Sequence, residues 1–225
     1  MFARINSLGL LGLNAFPVTV EIESSTGMPA FDIVGLADAA VRESRERIRS
    51  AFRCSKITFP THKILINLAP ADVKKTGSVH DLAIAVALLA AAGVAGKTNL
   101  DKSVFIGEVA LNGEIRHISG VLPMVILAQK MGMKKIYVPK DNIKEASVVK
   151  GIECYGVESL GELVLHLTEQ VLIPSESSYK PKENDYFGTL DFADVKGQYA
   201  AKKALETAAA GGHNALLLGH NAKAV

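Results

Sequence analysis

Apolar and polar positions along the chain fall into two periods, and the change between them marks the elements. From Ala15 to Ser24 they alternate: Val18, Val20 and Ile22 face one way, Thr19, Glu21 and Glu23 the other, which predicts a half-buried strand. Phe2 to Leu10 reads as a second strand. Phe31 to Val34 is a short third strand that ends at Gly35, preceded by turn chemistry at Thr26-Gly27-Met28-Pro29. The period then becomes helical. Between Asp38 and Arg53, Val41, Ile48 and Phe52 recur on one side that should face a core. Lys63 to Leu68 returns to strand. Asp81 to Ala92 is apolar nearly all round, so this helix should lie buried between a sheet and another layer.

Further on, strands are predicted over Val104 to Ala110 and Glu114 to Ile118. Asn112-Gly113 between them signals a hairpin, because a tight primed turn needs positive φ. A helix from Val121 to Met131 ends at Gly132, a C-terminal cap. A strand (Lys135 to Val138), a short helix (Asn142 to Val149), a strand (Glu153 to Val157) and a helix (Ser159 to Thr168) follow. That alternation implies a parallel crossover. With the strand-rich first half, it makes residues 1–171 a mixed α/β (α+β) domain. Residues 172–190 shift to Ser, Pro, Lys and Glu and read as a linker. Residues 191–225 begin a new unit, with a helix from Asp194 to Ala210 and a strand from Ala215 to Leu218.

Composition narrows the function. Hydrophobic residues make up 48% of the 225, enough for a sizeable core. Net charge is only +2, so a case for a nucleic-acid partner has to be local. Tryptophan is absent and aromatics are 6%, which speaks against a surface that stacks bases. Cys54 and Cys154 lie far apart with no metal-ligand spacing, which fits two ordinary thiols in a reducing compartment and no bound metal. The longest apolar run, Leu82 to Ala95, is shorter than the roughly 20 residues that span a bilayer. With no signal peptide evident, a soluble cytoplasmic protein without a membrane partner is expected.

Three stretches carry candidate chemistry. Ser78, His80 and Asp81 invite a triad reading, but triad members converge from separate segments, and neighbours at one helix start point apart. The S-x-x-D spacing instead predicts a capping box, with Ser78 as cap and Asp81 in the first turn. The preceding Lys74 and Lys75 are either a phosphate or nucleic-acid contact or a flexible basic loop. Arg42, Arg45, Arg49 and Arg53 form a stripe on the Asp38–Arg53 helix. It could contact phosphates, or be a solvated face on which Glu43 and Glu46 pair with Arg47 and Arg49. At Gly219 the chain approaches a P-loop, yet the required second glycine and lysine would fall on Ala224 and Val225. No nucleotide is expected to bind here in the P-loop manner.

Nearly the whole chain resembles the YifB/ComM-type proteins, magnesium-chelatase-like AAA+ ATPases. The most specific stretches are INLAPADVKKTGSVHDLAIAVALLAAAG and GEVALNGEIRHISGVLPMVILAQKMGMKKIYVP; DFADVKGQYAAKKALETAAAGGHNALLLG resembles the lead-in to the ATPase module. The resemblance implies a Lon-protease-like N-terminal fold, also seen in one ribosomal protein's second domain, followed by the start of the ATPase module. Aligned on Gly77, Val79 occupies the position of the Lon nucleophilic serine. Aligned on Ser119-Gly120-Val121, Leu122 occupies that of the partner lysine. Neither side chain can attack or accept a proton, so the domain is expected to be catalytically dead. The dead domain of RadA, which has counterparts of GEVALNGEIRHISG, is associated with DNA binding and ring assembly. For the full-length parent the resemblance implies a hexameric, ATP- and Mg-dependent helicase promoting branch migration of single-stranded or branched DNA in natural transformation. The alternative is an oligomerisation or partner-recruiting module without DNA binding. A magnesium-chelatase subunit and a Lon-like peptidase are less supported.

Overall fold

A long antiparallel hairpin, β1 (Phe2–Leu11) and β2 (Asn14–Ser25), stands at the middle of the computed structural model, which describes residues 1–94, 100–176, 179 and 191–218. The chain divides into two units, 1–180 and 181–225. In the first, β3 (Ala30–Val34), β4 (Lys63–Ala69), β5 (Ser103–Phe105), β8 (Lys135–Pro139), β9 (Glu153–Val157) and β10 (Ser175–Glu176) complete an eight-stranded sheet. Its order is β10-β9-β8-β5-β1-β2-β4-β3. Parallel pairing (β1 with β5, β5 with β8, β8 with β9, β3 with β4) mixes with antiparallel pairing (β1 with β2, β2 with β4, β9 with β10). The mixed α/β class follows as the periodicity predicts.

Alternation along the strands decides what each face holds. On one face, Val20, Ile22, Ile64, Ile66 and Tyr137 pack with α1 (Ala39–Cys54), α2 (Asp81–Ala91) and α5 (Leu160–Leu167). On the other, Leu8, Val104, Ile136 and Val138 pack with α3 (Val121–Lys130) and α4 (Ile143–Ala146). Helix α2 is buried from Asp81 to Leu89, as a helix without a polar face must be. Across β5, β8 and β9 the rings of Phe105, Tyr137 and Tyr155 stack at 4.5 and 4.9 Å.

Several boundaries differ from the sequence reading. The single strand expected over Val104 to Ala110 is two, β5 and β6 (Glu108–Val109), because at Ile106 and Gly107 the backbone turns to bond Tyr137 and Val79. β6 pairs with β7 (Ile115–Arg116) across the five residues Ala110 to Glu114, not a two-residue primed turn. The Gly113 N–H closes on the Ala110 carbonyl, and Gly113 alone takes the left-handed conformation, at φ +89°. The expected linker 172–190 starts too early. Ile173 is buried and its N–H donates to His166 Nδ1 at 3.0 Å, and β10 adds a strand beyond β9.

In the second unit, α6 (Tyr199–Gly211) begins five residues after the expected Asp194, because Gly197 and Gln198 are consecutively left-handed and no helix runs through them. Ala215 to Leu218 form no strand: among the described residues they have no neighbour to pair with. Gly219, the expected start of a P-loop, lies outside the described residues. Among the described residues no helix is long and apolar enough to cross a membrane.

Candidate functional site

Strand β4 delivers the chain to the start of α2, where every expected residue of the opening loop can be placed. Lys74 is exposed, but Lys75 is not. Its backbone is stitched to the turn before α1: the Lys75 N–H donates to the Leu36 carbonyl at 3.2 Å, and the Asp38 N–H to the Lys75 carbonyl at 3.1 Å. That pins the side chain inward, where Nζ donates to the Pro70 carbonyl. Burial pushes the Lys75 ammonium below its ordinary pKa. The loop is therefore held at Lys75 and presents only Lys74 of the two at its surface, and Lys75 is corrected from a nucleic-acid contact to a buried structural residue.

The capping box is also corrected. His80, not Ser78, stands at the cap position, and it makes no side-chain bond to the helix. Ser78 Oγ donates instead to Glu108 Oε2, and Glu108 Oε1 lies 3.7 Å from Arg116. Asp81 does sit in the first turn of α2, as expected, but its carboxylate bonds to α1. Ser44 Oγ and Arg47 Nη2 donate to Oδ1 (the arginine at 3.1 Å), and Arg47 Nε donates to Oδ2 at 2.8 Å. The Val109 N–H adds a longer bond at 3.4 Å. Burial lifts the Asp81 carboxyl above its ordinary range against the pull of these donors, while the same contact raises Arg47. The two shifts favour opposite states of one pair. With both carboxylate oxygens taking guanidinium donors, the geometry favours the ion pair.

His80 turns its Nδ1 to Ser7 Oγ at 3.0 Å, inside the core, and burial holds it down to about 4. Val79 packs half-buried in the cluster of α3 and α4. It borders a cavity of about 260 Å³ with Ser78, Glu108, His117 and Ser119. Leu122 is half-buried, and its N–H donates to Glu145 Oε1 at 2.8 Å. Among the described residues no three His, Cys, Asp or Glu side chains gather as a metal site; Cys54 is exposed and Cys154 buried. A cavity of about 610 Å³ walled by Ile22, Ile57, Phe59 and Ile64 is largely apolar and holds none of the expected site residues.

The arginine stripe is where the sequence places it, on the exposed side of α1. Arg42 Nη1 donates to the Ala37 carbonyl at 3.0 Å, and with Lys74 it lines an open groove of about 660 Å³ at the β3–α1 turn. Gly35 is required in that turn: its φ is +101°, and a Cβ there would lie 2.3 Å from the Leu68 carbonyl oxygen. Arg45 reaches the Phe31 carbonyl at 3.3 Å and Glu46 at 3.2 Å. Arg49 lies 4.0 Å from Glu46 and 5.5 Å from the centre of the Phe59 ring. Arg53 is exposed. The pairing expected of Glu43 with Arg47 exists at 3.9 Å. Exposed pairs of this kind contribute little. Two contacts escape the sequence reading, Arg47 to Asp81 and Phe59 to Arg49. The first has a signal, since Arg47 lies three residues from Ser44 toward the buried side and off the stripe. The second has none, because Phe59 comes from another segment.

Two consequences are measurable. Arg47→Met strands the Asp81 carboxylate and should cost about 3–5 kcal/mol in urea unfolding at pH 7. Above the carboxyl's folded-state pKa the stranded charge carries its full penalty; as pH falls through that value the carboxyl protonates and the deficit shrinks. A deficit that stays constant down to pH 4 would contradict this. His80 acts in the other direction. Unfolded, it binds a proton near 6.5, whereas folded it resists until about 4. Stability contributed above 6.5 is therefore lost as pH falls through that window, by about 3 kcal/mol. His80→Gln should flatten this part of the acid limb.

The family described as subunit ChlI of Mg-chelatase matches residues 20–142, and the description magnesium chelatase, subunit ChlI, matches residues 191–223. The chain is 38% identical over 220 residues to competence protein ComM of Haemophilus influenzae, covering 96% of this chain and 43% of the relative. It is 39% identical over 218 residues to uncharacterized protein YifB of Escherichia coli, covering 96% and 42%. DNA repair protein RadA of Streptococcus pyogenes is 32% identical over 107 residues, 45% of this chain and 23% of RadA. The chain thus spans less than half the length of the ComM and YifB relatives it matches. It belongs to the family of the magnesium-chelatase subunit ChlI, as a YifB/ComM-type member.

Proposed function

We propose that residues 1–180 are a non-catalytic N-terminal domain of a ComM-like AAA+ ATPase of the cytoplasm, and that the domain binds DNA and helps to assemble the ring. The longer protein would be a hexameric helicase that uses ATP and Mg to drive branch migration in recombination during natural transformation. The observation that carries the reading is the outward face of α1. Arg42, Arg45, Arg49 and Arg53 are exposed along it, and Lys74 joins Arg42 at one end in an open groove. This is a local basic strip on a chain of nearly neutral net charge, the arrangement by which a protein tracks a phosphate backbone without a globally basic surface. The names of the ComM and RadA relatives, competence and DNA repair, support a nucleic-acid partner. The apolar residues at Val79 and Leu122 support a role without peptide cleavage.

Fluorescence anisotropy with single-stranded and branched DNA at two salt concentrations tests this. Binding should weaken with salt, and Arg45→Ala should reduce the magnitude of the slope of log K against log salt by about 1. Salt-insensitive binding, or an unchanged slope, would sink the proposal.

A second reading, a docking module for ring assembly alone, is favoured by the turn between β1 and β2, where Leu11 is 70% and Leu13 is 91% exposed. On this reading, Leu11→Ser with Leu13→Ser shifts sedimentation velocity toward the monomer and leaves any DNA affinity untouched. An unchanged size distribution would argue against it.

A further inference from the structure

A single strand differs from a duplex in that its bases can leave the stack. A protein that exploits this places an aromatic surface next to the cations that hold the backbone. The segment between α1 and β4 does so beside the arginine stripe. Phe59 is half-buried and held by its neighbours: its ring centre is 5.6 Å from that of Phe31 and, edge to face, 5.4 Å from that of Phe52. Such an anchored ring loses little freedom when a ligand stacks on it. The Arg49 guanidinium lies 5.5 Å from its centre. Around these two, Pro60, Thr61 and His62 help to line a cavity of about 270 Å³. That is just under the roughly 300–1,000 Å³ of small-molecule pockets, a size for one planar ring system and not for a whole nucleotide cofactor.

The cavity and the stripe share Arg49. Arg45 and Arg53, one helical turn to either side of it, lie on the same exposed face. Glu46 lies 3.2 Å from Arg45 and 4.0 Å from Arg49. Glu46 is 63% exposed and the two arginines 45% and 46%, so these pairs are weak and can yield to a phosphate. His62 and Thr61 are exposed at the mouth and supply hydrogen-bonding groups for a base edge.

We propose that this recess receives one unstacked nucleobase of a single strand whose phosphates run along Arg45, Arg49 and Arg53. The inference rests on reading α1 as a nucleic-acid-binding face, and it adds what that face selects. A paired base cannot present its flat side to Phe59 without leaving the duplex, which costs stacking and pairing energy. The site therefore favours unpaired strands and, at a junction, the unpaired arm.

The test titrates the full chain with a short oligothymidylate, its abasic counterpart of equal phosphate number, the matching oligoribonucleotide and a duplex. The intact strand should bind about tenfold tighter than the abasic one, the scale of one base–aromatic stack. Phe59→Leu and His62→Ala should each bring the intact strand down to the abasic level. Circular dichroism checks the fold of the first variant; the second changes an exposed side chain. A preference for base over abasic seen with DNA, with RNA or with both supports the recess and names its strand. Equal affinity for intact and abasic strands, with salt-dependent binding retained, overturns the recess and leaves the phosphate-binding face standing. A preference that survives in both variants also overturns it. Binding to none of the four ligands overturns both proposals.

Discussion

The carboxylate of Asp81 is the contact on which the arrangement of this domain turns. It sits fully buried at the start of α2, and its donors come from elsewhere: Ser44 and Arg47 from α1, and the Val109 N–H from the β6–β7 hairpin. A helix that is apolar on every side has no preferred rotation against a sheet from hydrophobic burial alone, since any face would bury equal area. One buried charge with fixed donors removes that freedom, because only one rotation satisfies it. The position of α1, with its outward arginines, is referred to the same carboxylate. The ion pair need not add net stability to have this effect: desolvation opposes the Coulombic gain, and its use is to make one packing distinct from the rest.

Legibility in the sequence divides along the same line between local and distant contacts. Elements with strong periodicity (β2, α1, α2, α5) lie within a residue or two of their predicted bounds, because burial of Val18, Val20 and Ile22, or of Val41, Ile48 and Phe52, is a property of one segment read alone. The start of α2 is not legible in this way, for the opposite reason. Ser78 and Asp81 have the spacing of a local cap, and local spacing cannot show that α1 and β6 offer both residues better partners. Lys75 repeats the lesson. A lysine between Lys74 and Thr76 looks solvated until the turn at Leu36 and Asp38 captures its backbone. The stretch 173–176 has linker composition, yet it finds an open edge at β9.

For the candidate site the division is similar. The stripe of arginines is a helical repeat and was readable; the aromatic ring beside it was not. Low aromatic content argued against base stacking, but a percentage does not say where one phenylalanine lands. Phe59 comes ten residues after Arg49 and reaches it only because the chain doubles back from α1 toward β4. Surface chemistry built from two segments is invisible to any rule that counts along one.

The stacked rings of Phe105, Tyr137 and Tyr155 have an optical consequence. The chain has five tyrosines and no tryptophan, so its near-ultraviolet absorption and emission come chiefly from tyrosine. Two of those five lie face to face across β8 and β9, with Tyr137 bonded to His166 at 3.1 Å. Burial raises both phenols, Tyr155 to about 12, so neither yields the red-shifted tyrosinate band at moderately alkaline pH while the sheet is intact. The domain therefore carries a built-in chromophore for the order of its parallel strands, separate from the arginine face of α1 and readable without a label.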